Sequence, residues 1–386
     1  MKYFLMIPGP VEIADEILDA YQGQPVAHYG PEWTKEYLDI IKRVSKILGS
    51  EGMTFLMPGS GSICLDTAAA SFCTSKRCLV INNGMFGDRL YNIVSAHTSD
   101  VEILKFPLNV PADPDAVKKA LSEREYDAVF MTHVETSTSV LNPVKEVVNI
   151  VKEHGALFVL DAISSAVIEK LEMDSWGIDI TVTACQKGFE CPAGLGIITV
   201  RSDLLNALQD TPATTWYTDL RVWCDFYDKW HDWHPFPVTL PTNTIMALKK
   251  SIEIIETEGL SFRQRMFGEI SSRLRKALLS FGLEMYAPEG HHAHGLTAAS
   301  TGGKFDPSDL LGYLKKTVGI QISGSFGDLK SHVFRIGHMS KKQCSNIILV
   351  SLLNGIALFM RSRGLKVPLE EAVGMLIQQP QDGGML

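Results

Sequence analysis

The strongest constraint on how this chain folds is a run of short apolar segments that alternate with amphipathic ones between Gly49 and about residue 200. Apolar stretches of strand length fall at 78–82, 101–106, 127–132, 156–160, 179–184 and 195–200. Segments with helical apolar spacing lie near 62–73, 87–96, 113–122 and 143–154. Strands that alternate with helices imply an α/β fold, a mainly parallel sheet covered by helices on both faces. An earlier helix is expected over 32–48, where Trp33, Tyr37, Ile40, Ile41, Val44, Ile47 and Leu48 recur at helical spacing and Gly49 stands at the C-terminal cap position. A long helix is expected from about Asn243 to Glu258, stopped by Gly259.

At 386 residues the chain exceeds one ordinary core, so two domains are expected. Their limits are read as 15–260 and 261–386, the second a smaller α/β unit, with 1–14 as a strand-and-turn segment ahead of both. The proportions, 45% hydrophobic and 21% charged, are those of a soluble globular protein, and no apolar run reaches the ~18 residues of a membrane span. The start has one lysine and a short apolar stretch broken by prolines, too little for a signal peptide. Seven cysteines, odd in number and without a Cys-x-x-Cys pair, argue for reduced thiols in a cytoplasmic protein. A net charge of −8 disfavours nucleic acid or an anionic membrane as partner. The tryptophan-rich stretch 213–241 is expected to be buried loop packing, and the tail 378–384 disordered.

Two of the expected strands end on residues that carry chemistry. Lys187 follows the run 179–185 and opens a Gly/Pro-rich turn, and a desolvated lysine at a strand end is an amine nucleophile that forms Schiff bases. Asp161 ends the strand 156–160 on the same rim. Taken singly, a lysine there snorkels to solvent and an aspartate caps a helix. Together they are what pyridoxal phosphate requires, an amine for its aldehyde and an acid for its pyridine nitrogen.

Other strand ends point to the same crevice. Gly59-Ser-Gly-Ser62 opens a helical pattern, where free amides and the positive end of the helix dipole suit a phosphate, although a serine N-cap accounts for the pattern equally well. Phe86, after the strand 78–82, is placed to lie flat against a planar ring. The run 133–138 offers the hydroxyl of Thr136.

With these motifs the chain resembles the class V, fold-type I pyridoxal-phosphate enzymes, most closely the alanine–glyoxylate and serine–pyruvate aminotransferases. The resemblance runs through Pro8-Gly-Pro10, Gly59-Ser-Gly61, Asn83-Gly-Met-Phe-Gly87, 133–138, Asp161-Ala-Ile-Ser-Ser165, Gln186-Lys187, Glu258-Gly259 and Arg335-Ile-Gly-His-Met339. It implies a seven-stranded, mainly parallel sheet in a three-layer large domain, with the segment 1–14 reaching the active site. Lys187 and Asp161 become the catalytic pair. Phe86 stacks on the ring, Thr136 bonds near its hydroxyl, and Ser60, Gly61, Ser62 and Gln186 hold the phosphate. Thr239 reaches the phosphate of the neighbouring subunit in a homodimer, and Arg335 binds the substrate carboxylate. The activity implied is transfer of an amino group from a small L-amino acid, of alanine or serine type, to glyoxylate or pyruvate.

The chain departs from the family pattern at three positions. Cys185 replaces a serine before Gln-Lys, Phe86 replaces the usual tryptophan, and Phe236 stands where many members place a tyrosine. Pyridoxamine–pyruvate and aminoethylphosphonate transaminases are the alternatives. A cysteine desulfurase would need a nucleophilic cysteine in the loop 322–328, which has none, while Cys344 falls in a helical pattern. An inactive binding protein is disfavoured by the lysine, aspartate and arginine in register. His291, His292 and His294 lack an acidic partner at ligand spacing and are expected to be solvated, so no metal is assigned.

Overall fold

The computed structural model describes residues 3–208 and 211–377. Its centre is a seven-stranded sheet in the order Met53–Pro58, Leu195–Val200, Ile180–Ala184, Leu157–Asp161, Ala128–Thr132, Cys78–Asn82, Val101–Lys105. The last five are mutually parallel, while Leu195–Val200 runs antiparallel to both its neighbours. Met53–Pro58 was not among the strands expected from the pattern. Its interior is buried on both faces, so it lacks the alternation of a half-buried strand, and Pro58-Gly59 reads as turn.

The parallel strands set the rim. Thr132 pairs with Asp161, and Asp161 with Val182, so the carboxyl end of one strand opens beside the strand that leads to Lys187. Four helices alternate with these strands, Gly61–Phe72, Met85–Ser95, Pro114–Glu123 and Val144–Glu153. The early helix spans Pro31–Ile47, and the long one Thr242–Glu258, where Gly259 (φ 84°) breaks the chain before a further helix, Leu260–Ser280.

A second apolar core is built by Leu260–Ser280, Asn346–Arg361 and a four-stranded sheet ordered Glu284–Met285, Leu296–Ser300, Val333–Gly337, Ser323–Gly324. The N-terminal segment belongs to this core, since Met6 and Val11 are buried in it. Phe4–Leu5 pairs in parallel with Ile320–Gln321, and Gly337 N–H donates to Met6 O (2.7 Å). Gln343, fully buried, closes the junction. Its Nε2 donates to Leu5 O (2.7 Å) and Ile7 O (3.2 Å), while its Oε1 accepts from the amides of Met339 (2.8 Å) and Ser340 (3.1 Å).

Three expectations are corrected. Of the four tryptophans in 213–241 only Trp223 is buried, and Trp216, Trp230 and Trp233 are 57%, 49% and 48% exposed. The segment contains an amphipathic helix, Leu220–Trp230, that turns only Leu220, Trp223 and Cys224 inward. His294 is not merely solvated, because its Nδ1 lies 2.8 Å from Oε2 of buried Glu169, a partner distant in sequence. Cys344 sits in the turn before Asn346–Arg361 rather than inside a helix. The tail 378–384 lies outside the described residues.

Replacing Gln343 by methionine keeps the side chain's length but removes the acceptor of two amides and the donor to two carbonyls, of which Ile7 O keeps its bond from Gly9 N–H (2.7 Å). The expected cost is roughly 2–4 kcal/mol, to be read as a lowered urea midpoint against wild type.

Candidate active site

The strand Ile180–Ala184 is buried along its whole length, and the chain then turns sharply. Cys191 N–H donates to Cys185 O (2.9 Å) and Glu190 N–H to Lys187 O (2.8 Å), which closes the turn and directs Lys187 outward over the rim. Its Nζ donates to Pro8 O of the N-terminal segment. Burial lowers the Lys187 amine to a pKa of about 8, and the Arg335 and Arg89 charges add to this against the pull of Asp161.

Asp161 is buried at the end of its strand, and its Oδ1 accepts from Ile163 N–H (2.9 Å). Among the described residues Oδ2 has no hydrogen-bond donor. Burial raises its pKa to about 6, with Glu135 adding to the rise while the Ile163 amide and the Lys187 and Arg89 charges oppose it. A cation brought against Oδ2 would reverse the burial penalty and keep the carboxylate ionised.

These groups line one cavity of about 290 Å³ with Ser60, Gly61, Ser62, Phe86, Thr136, Ser164 and Gln186. Gly61 starts the helix Gly61–Phe72, whose N-cap Ser60 makes no side-chain cap, and the Ser60 and Ser62 hydroxyls have no partner among the described residues. A Cβ at Gly61 would lie 2.4 Å from Cδ1 of Ile163, so only glycine brings this helix end against the Asp161 turn. Free amides, two unbonded hydroxyls and the helix dipole are a donor set for a phosphate, and Phe86 and Ile163 supply apolar walls for a ring. The cavity therefore fits pyridoxal phosphate.

Arg335, on the strand Val333–Gly337, is 6% exposed. Nε donates to Gly324 O (2.9 Å) and Nη1 to Thr136 O (2.9 Å), and its guanidinium lies 4.5 Å from the ring centre of Phe326. No carboxylate among the described residues forms an ion pair with it, so the internal salt bridge that would explain a buried arginine is absent there and Nη2 remains open to an anion. Thr136 Oγ1 is 2.6 Å from Ser164 Oγ. Thr239 is exposed and lies apart from this cavity.

The departures at Cys185 and Phe236 leave the cavity untouched. Cys185 is fully buried and donates to Pro192 O (2.8 Å), and Phe236 packs inside its own chain, 5.0 Å from the ring of Tyr37. Sequence reasoning missed Arg89, Ile163, Ser164 and the structural part played by Glu135. Arg89 follows Phe86 by three residues on one helix, and its guanidinium lies 4.8 Å from the Phe86 ring centre. That spacing was the available signal. Ile163 and Ser164 stand within the turn already quoted after Asp161, but only the fold shows which of its residues face inward.

Comparison with known proteins agrees with this geometry. The family described as aminotransferase class-V matches residues 12–350. An uncharacterised aminotransferase of Methanocaldococcus jannaschii is 30% identical, over 95% of this chain and 95% of its own. Alanine–glyoxylate aminotransferase 1 of Saccharomyces cerevisiae is 30% identical, over 88% of this chain and 93% of its own. Among solved structures, ureidoglycine–glyoxylate aminotransferase from Bacillus subtilis superposes with a TM-score of 0.91 at 22% identity, covering 98% of this chain and 97% of that one. At that identity the last match shows the fold alone, fold-type I. The chain belongs to the class-V aminotransferase family, and it is a pyridoxal-phosphate-dependent enzyme.

A lysine whose pKa falls from 10.5 to about 8 is mostly neutral above that pH. In cofactor-free protein, labelling of Lys187 by an amine-selective acylating reagent should rise with a midpoint near pH 8, as followed by peptide mapping, while exposed lysines respond only at higher pH.

Proposed function

We propose that this class-V aminotransferase carries an amino group from a small L-amino acid, of alanine or serine type, to glyoxylate or pyruvate. The observation that carries the reading is Arg335, a buried guanidinium without an ion-pair partner among the described residues, which does not line the cavity itself but is bonded to the carbonyl of Thr136, which does. A planar guanidinium meets both oxygens of a carboxylate at once, which a 2-amino acid and a 2-oxo acid both provide. Glyoxylate in the name of the yeast relative supports that acceptor.

Pyridoxal phosphate, when bound, supplies the aldehyde that receives the amino group and a protonated ring that takes up the electrons freed at Cα. Ser60, Gly61, Ser62 and Gln186 would hold its phosphate, and Phe86 would lie against the ring. Asp161, through Oδ2, would keep the ring nitrogen protonated, and Thr136 would serve the ring hydroxyl. Lys187 would hold the aldehyde, and its Nζ, lowered to a pKa of about 8 by burial, is the base that would take the proton from the substrate's Cα. Arg335 orients the substrate so that this proton faces Nζ.

We further propose a homodimer with shared active sites, in which Thr239 serves the partner's phosphate, and a cytoplasmic location. An exposed aromatic patch at Tyr29, Trp230 and Trp233, whose rings lie 5.5–6.2 Å apart in sequence of contact, supports a covered face, and seven unpaired, buried cysteines support a reducing compartment. The domain limits 15–260 and 261–386 are retained as part of this reading, with 1–14 as the segment that meets the active site.

Two substitutions test the assignment. Asp161→Asn should still fold and bind cofactor but lose roughly 10²- to 10⁴-fold in kcat, and near-wild-type turnover would reduce Asp161 to a cap for Ile163. Arg335→Lys should weaken carboxylate-bearing donors by about 1.5–3 kcal/mol, measured by bleaching of the cofactor's absorption in single half-reactions, with little effect on amines that lack a carboxylate. An equal loss for both kinds of donor would overturn the 2-amino acid reading.

A further inference from the structure

The helix Met85–Ser95, which presents Phe86 and Arg89, begins after Gly84 and so has no capping side chain of its own. Its first amides are met from another part of the fold. Met85 N–H donates to Ser137 Oγ (3.2 Å), and the N–H groups of Phe86 and Gly87 both donate to Oε2 of Glu135 (3.1 Å each). The other carboxylate oxygen, Oε1, accepts from the amide of Ser137 (2.9 Å) and from its hydroxyl. Glu135 is fully buried, and a Cβ at residue 84 would stand 2.4 Å from its Cδ, so the carboxylate occupies the space that a side chain there would fill. It does not line the cavity.

The turn that carries Glu135 also reaches the other functional groups. The next residue, Thr136, accepts from Arg335 Nη1 through its carbonyl (2.9 Å) and meets Ser164 through its hydroxyl (2.6 Å). Ser137 O accepts from Ser325 Oγ (3.0 Å), in the loop beyond the strand that pairs with Arg335.

We propose that Glu135 is a positioning residue for both halves of the site: one carboxylate fixes the helix end that turns Phe86 toward the cofactor ring and the turn whose carbonyl aims Arg335 at the substrate carboxylate. This rests on the roles given above to Phe86 and Arg335. The chemistry demands an ionised carboxylate, because both oxygens act as acceptors, whereas a glutamine of the same shape has one acceptor for two tasks.

The test is Glu135→Gln in two double-mutant cycles. In the first, pyridoxal phosphate affinity is measured by absorption titration for wild type, Glu135→Gln, Phe86→Leu and the double variant. Glu135→Gln should lose about ten- to a hundredfold in affinity, and the double variant should lose clearly less than the product of the two single losses. In the second cycle, with Arg335→Lys, the KM for alanine should show the same non-additivity, with kcat changed less than KM. A merely structural glutamate would give multiplicative losses in both cycles, and that result overturns the proposal. If Glu135→Gln does not fold, Ser137→Ala, which removes the Met85 cap and one donor to Oε1, replaces it with the same expected pattern at smaller magnitude. Wild-type enzyme that binds the cofactor but reacts with no amino acid would defeat the proposed activity, while the first cycle, which needs no turnover, would still decide the role of Glu135.

Discussion

Chemistry at this site depends on taking a lysine out of water without giving it a close anion. Lys187 is bonded to a carbonyl, that of Pro8, and two arginines act on its amine from nearby. A carboxylate in that place would hold the proton on the amine, and a neutral nucleophile would be lost. Asp161 is near enough to interact but is itself poorly solvated, so neither group settles the other's charge. A bound cofactor meets both needs, with an electrophile for the amine and a ring nitrogen for the acid.

Much of this was legible in the sequence because it lies at strand ends. Asp161 and Lys187 are recognisable from short apolar runs that stop on an ionisable residue, and parallel pairing does the rest by bringing the two ends side by side. The Gly/Ser turn that opens a helix was legible as such. What could not be read was which residue of a turn points inward: Ile163 and Ser164 stand beside Asp161 in the chain, yet only the packing of Gly61 against Ile163 shows that they form a wall. The strand Met53–Pro58 escaped for a related reason, since burial on both faces erases the alternation by which strands are recognised.

Long-range polar pairing was the other blind spot. Glu135 spans from its own turn to the start of a helix almost fifty residues earlier in the chain, and Glu169 meets His294 across the two cores. Nothing in local periodicity marks such a partner. The exposed tryptophans show the converse, because aromatic content suggested burial, whereas Trp230 lies on the outer side of an amphipathic helix and Trp216 and Trp233 flank it in the open. In both cases the fold decides between two chemically reasonable fates for one residue type.

The attachment of the N-terminal segment has a consequence for how the protein is made. Phe4–Leu5 finds its strand partner only at Ile320–Gln321, and Gln343 clasps Leu5 and Ile7 from later still. During synthesis these residues emerge more than three hundred residues before their strand partner and wait for it before they can settle. The large sheet, whose strands all precede residue 201, can assemble while they wait. Until the last third emerges, the Pro8 carbonyl has nothing to hold it over Lys187, so a nascent chain with a finished central sheet still lacks a finished site. The order of translation thus delays the final setting of the Lys187 amine until residues 320–343 have emerged.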